Sequence, residues 1–129
     1  MTTELTILAY AALLQLLQFT LFSIAANLQI GPKRAMGPRD DKIELTGKAG
    51  RLQRALNNHF EALILFTIAV TLVTLGDKAN GFTANCAWAY LFARILYVPA
   101  YYFGLSPWRS LIWLVGLIAT CLMILSSLI

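Results

Sequence analysis

The chain has 129 residues, 59% hydrophobic and 12% charged, with a formal net charge of +4 and a mean hydropathy of +0.70. Soluble domains run about 45–50% apolar and about 25% charged, and one core of this length cannot hide so much apolar surface. A soluble domain is excluded in favour of an integral membrane protein. The positive balance reads as a topology signal and not as a nucleic-acid footprint, because no soluble basic face exists to carry one.

The first apolar stretch runs from Leu5 to Leu28, "LTILAYAALLQLLQFTLFSIAANL". Its leader, "MTTE", is acidic where a secretory signal is basic, and the run is too long for an h-region, so it reads as a retained helix. Gln15 and Gln18 are expected to bond to neighbouring helices. Asn27 is a candidate to reach the polar recess derived below. The first connection, "GPKRAMGPRDDKIELTGKAG", is punctuated by Gly31, Pro32, Gly37, Pro38 and Gly47. At roughly 20 residues it exceeds usual connections, which suggests a functional or ordering role.

The second stretch, Phe60 to Leu75, has a polar approach beginning near Gly50; the third is Phe82 to Phe103 and the fourth Trp108 to Ile129. With their polar approaches, all reach the roughly 20 residues needed to cross about 30 Å of hydrocarbon as a helix. They lack the alternation of barrel strands. Backbone groups in lipid must be satisfied internally, so helices remain. Helices are expected over about residues 4–29, 49–75, 82–104 and 107–129, with a cytoplasmic loop at 31–48. The chain is then one all-α domain, 1–129, a four-helix transmembrane bundle running up and down. Ser106 is placed to cap the fourth helix and Pro107 to occupy its first turn.

Seven of the ten Lys and Arg residues (Lys33, Arg34, Arg39, Lys42, Lys48, Arg51 and Arg54) flank the first connection. The second connection holds Lys78 and the third Arg109. Positive charge stays cytoplasmic, so the first and third connections are expected inside and both termini outside, or in the lumen of an organelle.

The second helix begins "GRLQRALNNHFEALILF". At about 100° per residue, Arg51, Arg54, Asn58 and Glu61 share one face roughly 80° wide. Glu61 lies about 15 Å beyond Arg51 along the axis, where an acid should find a partner or a wet cavity. Arg94, ten residues before Gly104 in the third helix, reaches a similar depth, and the two are expected to pair directly or through a ligand. Tyr90, Arg94, Tyr97 and Tyr101 form a single-face row. Arg109 follows in the first turn of the fourth helix, where backbone N–H groups favour an anion. Together these residues imply a cationic, aromatic-walled recess open to the cytoplasm, for a guest that is anionic and partly apolar. The same polar residues could instead only tie helices together. A transport role is disfavoured by the small chain and the lack of broken helices.

His59 reads as an interfacial residue, and no Cys/His/Asp cluster has metal-ligand spacing, so no metal is expected. Cys86 and Cys121 read as small apolar fillers. No nucleotide-binding or nucleophile-elbow motif is present.

Arg51, Arg54, Ala55, Asn58 and Glu61 form R-x-x-R-A-x-x-N-x-x-E. This resembles the MAPEG family, membrane-associated proteins in eicosanoid and glutathione metabolism. "ARILYVPAY" resembles that family's third-helix Arg and Tyr pattern, and "GPRDDKIELTGKAGRLQRAL" is similar to its bacterial branch. The resemblance covers nearly the whole chain. It implies a homotrimer in a bacterial inner membrane, with glutathione as co-substrate between adjacent subunits on the cytoplasmic side. It implies that Arg51 and neighbouring cations, Arg54 and Arg94 among them, meet glutathione's carboxylates. Asn58 and Glu61 would hold its polar backbone and Tyr97 and Tyr101 line its site. Arg109 would be the catalytic residue, stabilising the thiolate, as a cation beside a thiol does. The activity so implied is a glutathione transferase, with peroxidase activity, acting on lipophilic electrophiles drawn from membrane lipid. One branch of the family binds lipid without catalysis. A non-catalytic lipid- or anion-binding protein of the same fold is therefore the alternative.

Overall fold

The computed structural model describes residues 1–31 and 45–129. Of the basic residues around the first connection, Lys33, Arg34, Arg39 and Lys42 lie outside the described residues. Four helices make up the fold: α1 (Thr3–Ile30), α2 (Gly47–Leu75), α3 (Gly81–Tyr102) and α4 (Trp108–Ser127). They run up and down. α1, α2 and α4 are each long and apolar enough to cross a membrane. α3 is more polar, since it carries Asn85, Arg94 and four tyrosines. Its 22 residues still rise about 33 Å at 1.5 Å per residue. Its polarity is tolerated because it is the most enclosed helix, with buried residues along its whole length from Thr83 to Ala100.

The packing follows from helical spacing. Phe66, Ala69, Val70 and Val73 of α2 recur at i, i+3, i+4 and i+7, as do Gly116, Ala119, Thr120 and Met123 of α4, and all eight are buried. These two stripes close on Ala87, Tyr90 and Leu91 of α3 and Ile7 and Ala11 of α1. Small residues at the contacts let backbones approach, as in membrane bundles generally. Gly116 is one: a Cβ there would lie 3.6 Å from that of Ala93. Outward faces are the reverse. Leu13, Leu16, Phe19, Leu65, Phe92, Leu111 and Leu114 are among many large exposed apolar side chains, a surface suited to hydrocarbon and not to water.

Polar pins hold both ends. Where α1 ends and α2 begins, Gln29 Nε2 donates to Thr46 O at 3.0 Å, and Thr46 N donates back to Gln29 Oε1 at 2.9 Å. At the opposite end Glu4 is only 2% exposed and accepts a 2.8 Å bond from Thr83 Oγ1. Thr83 belongs to a capping box with Asn80 that starts α3. This clasp ties α1 to α3.

Several details differ from the sequence reading. Among the described residues Gln15 and Gln18 do not bridge helices: Gln18 reaches the carbonyl of Leu14 on its own helix at 3.5 Å, and Oε1 of both glutamines is buried without a partner there. Asn27 likewise bonds within α1, to Ser23 O. Pro107, and not Ser106, holds the N-cap position of α4, without a side-chain cap.

The start of α2 is held against Leu45 by a residue without a side chain. A Cβ on Gly50 would sit 2.6 Å from the Leu45 carbonyl oxygen, a contact that backbone cannot absorb without shifting. Gly50→Ala is expected to lower stability by roughly 1–3 kcal/mol, the usual cost of overpacking. Thermal unfolding in detergent measures it; the control Gly81→Ala, where added atoms meet open space, should leave the midpoint within about 2 °C, a change of under 1 kcal/mol.

Candidate functional site

α2, α3 and α4 enclose a polar crevice with α3 as its floor. Its deeper part is a cavity of about 150 Å³ lined by Asn58, Glu61, Arg94, Trp113 and Thr120 together with apolar neighbours. A second recess of about 210 Å³, nearer the start of α4, is lined by Asn58, Tyr97, Tyr101, Arg109, Ser110 and Trp113. Asn58 and Trp113 belong to both, so the two adjoin.

Arg94 is the hub. It is 2% exposed, at mid-bundle, and its guanidinium lies 4.4 Å from the Tyr97 ring centroid. Nε donates to His59 Nδ1 at 3.2 Å and Nη1 to Asn58 Oδ1 at 3.0 Å. Among the described residues neither the buried Nη2 nor the buried hydroxyl of Tyr90 has a partner; both residues line the deeper cavity. The Tyr90 ring stacks on Phe66 at 3.9 Å, which holds it in the floor.

Glu61 does not pair directly with Arg94. Arg94 Nε and Nη1 bond His59 and Asn58, Nη2 is unpartnered among the described residues, and the acid shares the wall of the deeper cavity. Glu61 is exposed on the side of the single chain, although it lies midway along a helix that spans the bilayer.

The remaining cations gather where α3 ends and α4 begins. Arg54 Nε donates to the Tyr101 hydroxyl at 3.0 Å, and the guanidinium of Arg109 lies 4.7 Å from the same ring's centroid. Tyr101 is thus held between two cations, with Tyr97 beside it at 5.6 Å. Such contacts contribute about 0.5–2 kcal/mol each, more when desolvated. Arg51 turns away from both recesses. Its Nη1 donates to Tyr102 O at 3.2 Å, under the turn at Gly104, whose φ of +68° suits glycine. Lys48 lies 5.3 Å from the Tyr102 ring centroid.

The start of α4 is a weaker anion site than the sequence implies. The backbone N–H of Arg109 bonds Leu105 O at 2.8 Å, and those of Ser110 and Leu111 bond Pro107 O. Two of the first-turn donors that would face an anion, those of Arg109 and Ser110, are therefore already used. The fixed positive feature there is the Arg109 side chain.

His59 is the residue the sequence reading placed wrongly. It is fully buried, not interfacial, and its Nε2 lies 3.0 Å from Ala11 O on α1. The signal was present: Ala55, His59 and Phe66 recur at i, i+4 and i+11, on the buried face of α2. Ser110, Trp113 and Thr120 were also missed, because a polar or aromatic residue on a membrane helix does not by itself announce a lining role. Among the described residues no group of His, Cys, Asp and Glu could hold a metal ion.

No curated protein and no solved structure matches the chain. The model of the MAPEG family does match, over residues 7–129, which takes in the crevice and all but the first residues of α1, and on that match the chain belongs to the MAPEG family.

Proposed function

We propose that the chain is a membrane-bound glutathione transferase with peroxidase activity, conjugating glutathione to lipophilic electrophiles that enter from the bilayer. The observation that carries this reading is the crevice. It combines four guanidinium-bearing or amide residues (Arg54, Asn58, Arg94, Arg109), two tyrosines and one free carboxylate, Glu61, within one membrane bundle. Glutathione is an anion with a cationic amine and a polar peptide backbone. Arg54 and Arg109 suit its carboxylates and thiolate, Glu61 its amine, and Asn58 its amides.

Fit argues for a shared site. Each recess is smaller than the roughly 300 Å³ at which small-molecule sites begin. The two join, but they remain open on the side where Glu61 is exposed. A carboxylate facing hydrocarbon at the middle of a span costs several kcal/mol. A second copy of the chain covers that face in the homotrimer that we infer, and completes the site between subunits. The basic residues of the first connection support a cytoplasmic position for it under the positive-inside rule, with the termini outside, and the likeness to the bacterial branch of the family supports a bacterial inner membrane.

Titrating the detergent-solubilised protein with glutathione, followed by ultraviolet difference spectroscopy, tests the reading. Saturable uptake with a thiolate absorbance, and turnover of a chromogenic electrophile, are expected. Uptake without thiolate or turnover would favour a non-catalytic lipid- or anion-binding protein. No uptake at all would leave only a bundle whose polar residues fix assembly.

A further inference from the structure

The polar chain behind the crevice has a direction that its chemistry dictates. A backbone carbonyl can only accept a hydrogen bond and a guanidinium can only donate. His59 lies between one of each. Ala11 O, 3.0 Å away, needs a hydrogen on Nε2. Arg94 Nε–H, at 3.2 Å, needs a lone pair on Nδ1. Both needs are met only by the neutral ring carrying its proton on Nε2. The imidazolium would set a donor against Arg94, and the other tautomer would misplace both bonds.

The direction continues past Arg94. Its Nη1 donates at 3.0 Å to Asn58 Oδ1. That bond settles which way the amide faces: oxygen toward Arg94, NH2 away from it. Asn58 is the side chain common to both recesses on α2. Three hydrogen bonds therefore join four groups from the α1 backbone to the crevice: Ala11 carbonyl, His59 imidazole, Arg94 guanidinium, Asn58 amide.

We propose that His59 is the positioning residue of the crevice, fixing Arg94 and through it presenting Asn58 to the bound substrate as a donor of two N–H groups. Asn58 then selects an acceptor on the ligand, a carbonyl or carboxylate oxygen, and rejects a donor at that point. The His59 bond to Ala11 brings α1, which lines neither recess, into control of the site. That Asn58 touches the substrate rests on the glutathione reading given above; the bond directions do not.

Two measurements test it. His59 is the only histidine in the chain, so long-range proton–nitrogen correlation on protein labelled at the imidazole reports this ring alone. The expected spectrum at neutral pH is the neutral Nε2–H tautomer. An Nδ1–H tautomer or an imidazolium overturns the proposal, whether or not glutathione binds.

The second measurement uses two substitutions that split the ring's two bonds. His59→Asn offers an oxygen near the place of Nδ1 and loses the Ala11 donor. His59→Gln offers an N–H near the place of Nε2 and loses the acceptor for Arg94. His59→Asn should be the less thermostable yet keep glutathione affinity within about threefold of the parent chain. His59→Gln should be the more stable yet bind at least tenfold more weakly. A purely structural histidine would rank affinity in the same order as stability, and that result overturns the proposal. If the parent chain takes up no glutathione, the functional reading fails while the tautomer still decides the bond directions.

Discussion

Arg94→Leu should lower the unfolding midpoint of the detergent-solubilised protein by roughly 10 °C or more, the largest stability loss expected from any single substitution in the crevice. The loss comes from stranded partners. Removing the guanidinium leaves His59 Nδ1 and Asn58 Oδ1 without the donors they now have at 3.2 and 3.0 Å. Each unsatisfied buried group costs about 1–3 kcal/mol. The contact with the Tyr97 ring at 4.4 Å is lost too, for about 1 kcal/mol more. Against this stands the relief of a buried charge. In water that relief would be large. Here it is small, because separated helices in a bilayer or micelle would also hold the charge in hydrocarbon. The net loss is then about 3 kcal/mol, and at a few degrees per kcal/mol the midpoint falls as stated. Arg94→Lys keeps a charge but lacks the rigid fork that reaches two acceptors at once, so it should fall between. A midpoint unmoved by Arg94→Leu would mean that the link between α2 and α3 does not depend on these bonds.

Much of this arrangement was legible in the chain of letters. Four apolar lengths and the need to satisfy every backbone group in lipid leave a helical bundle as the only fold. The 3.6-residue period brings Asn58 and Glu61 to one side of α2, and the depth argument brings Arg94 to their level; both lie on the wall of one cavity. What periodicity cannot give is rotation about the neighbour. Whether Arg94 meets Glu61 or the pair Asn58 and His59 turns on a few tens of degrees between α2 and α3, and that is set by packing around Phe66, Tyr90 and Gly116. The Glu4–Thr83 clasp was invisible for another reason. It joins residues 79 apart in the chain, each of which looks like an ordinary helix start. The start of α4 misled because its first-turn donors serve the carbonyls of Leu105 and Pro107, a use that depends on how the third connection turns. A helix N-terminus is an anion site only when its own chain leaves it free.

Arg109 carries more weight for that reason. Because the N–H groups of Arg109 and Ser110 are already bonded, the main positive feature that α4 offers the crevice is one guanidinium. It stands 4.7 Å from the Tyr101 ring centroid, in the recess that also holds Tyr97 and Ser110. An unperturbed thiol has a pKa of about 8.5, so only a few per cent is thiolate at neutral pH. A cation beside it lowers that value and raises the nucleophilic fraction. Arg109→Ala should therefore abolish the thiolate absorbance of bound glutathione and cut turnover by about 100-fold, the usual loss when one fixed donor to a developing or resident anion is removed. Binding should weaken far less, by about tenfold or under, because Arg54, Asn58, Arg94 and Glu61 remain. Arg54→Ala provides the contrast. It removes the donor to the Tyr101 hydroxyl at 3.0 Å and a cation for the ligand's carboxylates, so affinity should drop while the thiolate signal per bound glutathione persists. Arg109→Lys, with charge kept and fork lost, should retain an intermediate signal. If Arg109→Ala kept both the absorbance and the turnover, the sulfur would have to lie elsewhere in the crevice, and the deeper cavity beside Arg94 would be the place left for it.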